Sequence, residues 1–241
     1  MLAQVTSCAL VGLEGVLVAV EVDTSRGRPQ LNIVGLPDAA VKESSERVRS
    51  AIKNSGLSFP LKRITINLAP ADIRKAGPVY DLPIAVGVLI ATEQAWPQAI
   101  EDALFIGELS LDGSVRHVNG ILPIAALAQQ QGIRRVFVPA CDAPEAALIE
   151  GLEVIPVENL AQVAAHLQGL RELPAYDGHL DPAALPLPVY AADFAEIKGQ
   201  EHAKRALEVA AAGGHNVFML CPENHRFQYD SSSCLRSQQC Q

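Results

Sequence analysis

The amino-acid sequence predicts an α/β protein, a two-layer sandwich in which helices cover a mixed sheet. Three observations carry that expectation. Val16, Val18, Val20 and Val22 alternate with other residues, the period of a half-buried strand. Val41, Val48 and Ile52 recur at helical spacing. Antiparallel hairpins come first and helix–strand alternation later, which points to a mixed sheet. With 241 residues and 49% hydrophobic content, the chain can bury a substantial core in one large domain, or in one domain plus part of another.

Residues 5–13 and 16–23 read as a hairpin closed at Glu14-Gly15. The polar loop Ser25-Arg26-Gly27-Arg28-Pro29 follows, then a strand at 30–35. A helix starts at Pro37-Asp38, with Asp38 as N-cap, and stops at Gly56. Residues 63–68 form a strand, and a helix over 81–93 follows the Gly77-Pro78 turn. A second hairpin pairs 104–110 with 114–118 through Asp112-Gly113. A helix at 121–131 ended by Gly132, a strand at 134–138, a short helix at 144–149, a strand at 153–157 and a helix at 159–168 complete a first domain, 1–168. The segment 169–192 holds Pro174, Pro182, Pro186 and Pro188 and reads as a linker. Residues 193–220 open a second domain with a turn, a helix at 200–212 and a strand at 216–220. The tail, 221–241, is polar, lacks a pattern and is expected to be disordered.

Composition narrows the function classes. No apolar run approaches the roughly 20 residues of a membrane span, and Met1-Leu2-Ala3-Gln4 lacks the basic start of a signal peptide, so a cytoplasmic protein is expected. The five cysteines contain no C-x-x-C pair and the six histidines no H-E-x-x-H, so no metal site is expected. The net charge of -8 is uneven: residues 1–80 carry 10 Lys+Arg against 7 Asp+Glu, whereas 81–241 carry 9 against 20. Arg26, Arg28, Lys42, Arg49 and Lys53 are the candidates for contact with DNA phosphates, with ordinary solvated faces as the alternative reading and the one preferred for the helix row. Glu46 interrupts the row formed by the last three, and Glu43 and Arg47 read as a routine pair one helical turn apart.

Four longer stretches carry a family resemblance: "NIVGLPDAAVKESSERVRSAI" at 32–52, "ITINLAPADIRKAGPVYDLPIAVGVL" at 64–89, "FIGELSLDGSVRHVNGILPIAALA" at 105–128 and "IKGQEHAKRALEVAAAGGHNV" at 197–217. Residues 1–220 resemble the magnesium-chelatase-like AAA+ ATPases of the YifB/ComM type. The resemblance implies a ribosomal protein S5 domain 2-like, Lon-protease-like N-terminal domain followed by an AAA+ P-loop domain, incomplete here. It also implies ATP and magnesium as cofactors of the full-length family, a hexameric ring of AAA+ subunits as partner, and, in the ComM branch, DNA branch migration during natural transformation.

Each implied site can be compared with these residues. Lon-like proteases place a nucleophilic Ser after a Gly-Pro turn and activate it with a Lys. Here Gly77-Pro78 is followed by Val79, and no lysine lies between Lys75 and Lys198, so no catalytic residue is assigned. Asp81, at the helix start, reads as a helix cap, in keeping with Pro83 in the first turn. In AAA+ proteins the segment resembling Ile197-Lys198-Gly199-Gln200 lies against adenine, which makes Ile197, Gly199 and Gln200 the cofactor-side candidates. A P-loop placed after Leu220 would set Cys221 and Arg226 at its glycines, Phe227 at its lysine and Gln228 at its hydroxyl, so the chain itself is expected to take no cofactor. A shifted reading frame or truncated gene, and a short stand-alone protein, both fit that tail. Two functions stay open: a fragment of a DNA-processing ATPase without its ATP site, or a non-enzymatic module binding DNA or other subunits.

Overall fold

The computed structural model describes residues 2–12, 14–178, 194 and 197–219. The long hairpin of β1 (Leu2–Val11) and β2 (Glu14–Ser25) runs in register from Leu2↔Asp23 to Val11↔Glu14. That register puts Val5, Val18, Val20 and Val22 in the core, where each is fully buried. It also corrects the expected turn: Gly12, at φ 67°, lies in the connection, and Glu14-Gly15 belongs to the strand. A Cβ on Gly15 would stand 3.0 Å from the Leu127 side chain, so this glycine serves packing.

β2 pairs antiparallel with β4 (Arg63–Ala69), and β3 (Gln30–Val34) joins β4 in parallel at the sheet edge. On the other side β1 runs parallel to β5 (Ala103–Phe105), then come β8 (Arg135–Pro139) and β9 (Glu153–Val157), also parallel. The seven-stranded order is β3-β4-β2-β1-β5-β8-β9. The expected strand at 104–110 is divided. Its start, β5, belongs to the main sheet, while β6 (Glu108–Leu109) and β7 (Val115–Arg116) form a separate short ribbon.

Helix α1 (Ala39–Asn54) starts where Val41 N–H donates to Asp38 Oδ1 at 2.8 Å, the cap expected from the sequence. Every residue of α2 (Asp81–Ala91) is buried, as its nearly all-apolar sequence requires. With α1 and α5 (Leu160–Leu167), α2 covers one face of the sheet. Helices α3 (Ile121–Gln130) and α4 (Ala143–Ala146) cover the other face beside β5, β8 and β9. Phe105 and Phe137 stack at 4.3 Å on the α2 side, whereas Leu104, Val136 and Val138 join α3. The expected two layers therefore hold on the β2–β4 half and become three on the other, because strands apolar on both faces need cover on both. On the open face of the first half, Asn67 Nδ2 donates to Glu21 at 2.8 Å.

The expected linker begins by binding the domain. Leu173 is buried, its N–H donates to His166 Nδ1 at 3.1 Å, and Tyr176 N–H donates to Val154 O at 2.7 Å. Burial pushes the His166 imidazole down, with Arg135 acting the same way and Glu172 and Glu153 against it. A depressed histidine pKa means the unfolded segment takes the proton first as pH falls, so this contribution is complete above about pH 6.5 and lost below it. The protection of the Leu173 and Tyr176 amides, their intrinsic exchange rate divided by the observed one, should fall as pH drops below about 6.5. His166→Leu should remove that dependence; an unchanged pH profile in the variant would refute the coupling.

Met1–Asp181 and Pro182–Gln241 are two compact units. In the second, α6 (Glu201–Gly213) forms as expected, but 215–219 take no regular structure. A strand needs a hydrogen-bonding neighbour, and none is present among the described residues of that unit. The expected linker residues 179–192, Leu220 and the tail 221–241 lie outside the described residues. Among the described residues no helix is long and apolar enough to cross a membrane.

Candidate functional site

Three places in the fold meet the chemistry expected from the sequence. The first is the Gly77-Pro78-Val79 corner between β4 and α2. Gly77 N–H donates to Asp38 Oδ2 at 3.1 Å, and Lys75 O accepts from Asp38 N–H at 3.0 Å, so one aspartate caps α1 and secures the corner. Val79 packs against both core clusters, and its carbonyl accepts from Gly107 N–H at 3.0 Å. Lys75 is wholly buried and its amine donates to the Pro70 carbonyl. Burial lowers the Lys75 pKa, with Asp72 opposing. The corner thus combines an apolar side chain at the nucleophile position with an amine committed to backbone.

Asp81 does not cap α2: its side chain makes no cap hydrogen bond. Instead Arg47 Nε donates to Asp81 Oδ2 at 2.6 Å and Nη2 to Oδ1 at 3.1 Å, while Leu109 N–H donates to Oδ2 at 3.2 Å. Arg47 Nη2 also reaches Ala40 O and Ser44 Oγ, each at 3.0 Å. The hydrogen bond to Asp81 raises the Arg47 pKa. The expected Glu43 partner stands farther off, at 3.8 Å and largely exposed. This bidentate pair fastens α1, α2 and the β6 ribbon together. Sequence spacing missed it because the partners are 34 residues apart.

The third place is the edge formed by the start of β3 and β4 and the end of β2. Ser25, Arg63 and Gln30 lie abreast there across three strands. Arg26 and Arg28 are exposed in the connecting loop, and Arg63 is exposed beside them. Arg26 and Lys62 line one open cleft of about 580 Å³ together with Ser25, Ser58 and Thr92. Pro29, Gln30, Arg49 and Phe59 line a second, smaller one, where the Arg49 guanidinium lies 5.5 Å over the Phe59 ring. Lys53, in the last turn of α1, belongs to the same end, because α1 runs back from the end of β3 towards its start. Lys42, in the first turn of α1, stands at the opposite end. The structure therefore gathers Arg26, Arg28, Arg49 and Lys53, leaves out Lys42, and adds Lys62 and Arg63, an adjacent pair that the sequence reading did not name. Among the described residues none of these six cations is in an ion pair.

Ile197, Gly199 and Gln200 lie before α6. Ile197 N–H donates to Phe194 O at 3.2 Å, Gln200 is the N-cap at φ 58°, and Gly199 and Gln200 are exposed. Neither of the two clefts described above includes them. The expected P-loop positions Cys221, Arg226, Phe227 and Gln228 lie outside the described residues.

The mixed, parallel-rich α/β sheet is consistent with a Lon-like or ChlI N-terminal domain. The comparisons with known proteins agree. A family model described as subunit ChlI of Mg-chelatase matches residues 20–142, just over half of the chain, and a second, magnesium chelatase subunit ChlI, matches 193–224, past Leu220. The chain is 41% identical over 222 residues to competence protein ComM of Haemophilus influenzae and 43% identical over 223 residues to YifB of Salmonella typhimurium. Each alignment covers 92% of this chain and 43% of the relative, so the chain spans less than half the length of these curated relatives. Lon protease of Rhizobium meliloti is 27% identical over 195 residues, 76% of this chain and 24% of the protease. The chain belongs to the magnesium-chelatase ChlI family and is of the YifB/ComM type.

Proposed function

We propose that residues 1–178 are the DNA-engaging module of a ComM-like, competence-related protein, an S5 domain 2-like domain that keeps the Lon-like architecture without its chemistry. The observation that carries this is the basic edge: six cations from four elements on one end of the sheet, none in an ion pair among the described residues. Although Glu93 and Glu46 line the same clefts, no carboxylate among the described residues stands within ion-pair distance of these exposed cations, which leaves them to displace the counterions of a phosphate backbone. The Arg49–Phe59 pair adds an aromatic face beside the charge. In this reading ATP, magnesium and the drive for branch migration belong to the AAA+ part of full-length relatives, and Ile197, Gly199 and Gln200 are its adenine-side beginning. The exposed Val209, Val217, Phe218 and Met219 favour a further contact with subunits of such full-length relatives.

The test is a salt-dependent DNA titration. Arg26→Ser, Arg28→Ser, Lys62→Ser and Arg63→Ser together remove exposed charges without touching the core. The combined variant should weaken binding at low salt by at least about 100-fold and flatten the log–log salt slope by about three to four. Lys42→Ser should change neither. A wild-type chain that ignores DNA, or binding equal in the fourfold variant, would sink the proposal. Magnesium-dependent ATP hydrolysis by the purified chain would refute the assignment of ATP chemistry elsewhere.

A further inference from the structure

At the other end of the sheet, the chain leaving β7 passes the turn that follows β8. Two segments about 25 residues apart meet there around a buried carboxylate. Asp142, only 4% exposed, accepts from Val118 N–H through Oδ2 at 3.0 Å. Its Oδ1 is hydrogen-bonded to His117 Nδ1 and accepts from the Cys141 thiol at 3.6 Å. The other imidazole nitrogen, Nε2, lies 3.3 Å from Asn119 Oδ1. One nitrogen, one sulfur and one carboxylate oxygen therefore lie within 4.8 Å of one another, with His117 and Cys141 open to solvent. Among the described residues this is the one grouping of three such groups.

We propose that His117, Cys141 and Asp142 form a binding site for a zinc-class divalent cation, with a fourth position open to water. Zinc bonds of about 2.0–2.3 Å put neighbouring ligand atoms of a tetrahedral site roughly 3.3–3.8 Å apart, so small rotations of two exposed side chains complete the geometry. A thiolate, an imidazole and a carboxylate select zinc, cobalt or nickel over magnesium or calcium, which take all-oxygen sets. The carboxylate is braced in advance: Val118 N–H holds Oδ2 and leaves Oδ1 turned towards the other two ligands. On binding, the thiol proton leaves to solvent, the proton between His117 Nδ1 and Asp142 Oδ1 is also given up, and the imidazole carries its remaining proton on Nε2 towards Asn119 Oδ1, so that sulfur, Nδ1 and Oδ1 are all free to take the metal.

Nucleophilic catalysis suits the same residues less well. Burial and the adjoining Asp142 push the Cys141 thiol up, and its hydrogen-bond partner is the carboxylate and not the imidazole. No spacing signature announces the site, because two ligands adjoin in sequence and the third comes from a separate segment.

The test uses the whole chain, stripped with a chelator and titrated with cobalt(II) and zinc(II). One zinc per chain should survive gel filtration, and cobalt should produce a thiolate-to-metal charge-transfer band with tetrahedral visible bands. Cys141→Ser should abolish the charge-transfer band. His117→Ala and Asp142→Asn should weaken zinc binding by at least about tenfold; the amide introduced by Asp142→Asn retains an oxygen for Val118 N–H, so folding is kept. A triple Cys221→Ser, Cys234→Ser, Cys240→Ser variant should bind as the parent does. A band that follows those tail cysteines, or a chain that takes up no zinc and keeps only the His117–Asp142 hydrogen bond, would overturn the proposal.

Discussion

Arg47→Ala should destabilise the N-terminal unit by about 3–5 kcal/mol, the cost of leaving a buried carboxylate without its charged partner. Asp81 has a fully buried side chain and holds Arg47 through two hydrogen bonds, while Arg47 is 20% exposed. The asymmetry sets the order of effects. Removing Arg47 strands a negative charge among the apolar residues of α2, whereas Asp81→Asn leaves a partly solvated guanidinium and keeps an oxygen for Leu109 N–H. Thermal unfolding should show a fall of roughly 6–20 °C for Arg47→Ala and a smaller one for Asp81→Asn. The double variant should lose less than the two single losses combined, because the charge that Arg47→Ala strands is gone. Strict additivity, or an Arg47→Ala midpoint within about 2 °C of the parent, would show that the pair is not what joins α1 to α2.

Gly35→Ala should be the most damaging single-methyl change in the sheet, at about 2–6 kcal/mol when backbone strain and steric overlap are combined. Gly35 leaves β3 at φ 100°, and a Cβ there would stand 2.2 Å from Leu68 O and 2.9 Å from Leu68 C and N. Those atoms are backbone of β4 and cannot move aside as a flexible side chain could. The displacement would pass to Leu36, whose carbonyl accepts from Lys75 N–H at 3.2 Å, and so to the Val79 corner. Gly132→Ala supplies the control: its φ is 72°, but nothing lies within 4 Å of the added carbon. Only the cost of the left-handed backbone applies there, about 1–2 kcal/mol. Urea midpoints should therefore separate the two variants at equal m-values; equal losses would mean that φ alone governs Gly35.

Much of this fold was legible because the information was local. The alternation of Val16 to Val22 set the buried face of β2, and Asp38 capped α1 through a bond to a residue three positions on. Asn159 does the same for α5, its side-chain oxygen accepting from Gln162 N–H at 2.9 Å. The charged residues of the basic edge were also largely named in advance, since exposed cations near a turn are visible as composition. Errors arose where a residue had two local solutions. Gly12 and Gly15 could each have made the first turn, and packing against Leu127 decided between them. Residues 103–105 could have joined the following hairpin or the main sheet, and the parallel partners β1 and β8 decided.

By itself, then, the sequence determined the periodic elements, the family, and the absence of a hydroxyl at Val79, because each depends on residue type or on spacings of a few positions. Tertiary structure alone decided that Asp81 pairs with Arg47 and does not cap its helix, that Lys42 stands apart from the other cations, and that His117 meets Cys141 and Asp142. Those outcomes depend on which distant segments are brought within hydrogen-bonding reach, and no periodicity along the chain encodes that distance.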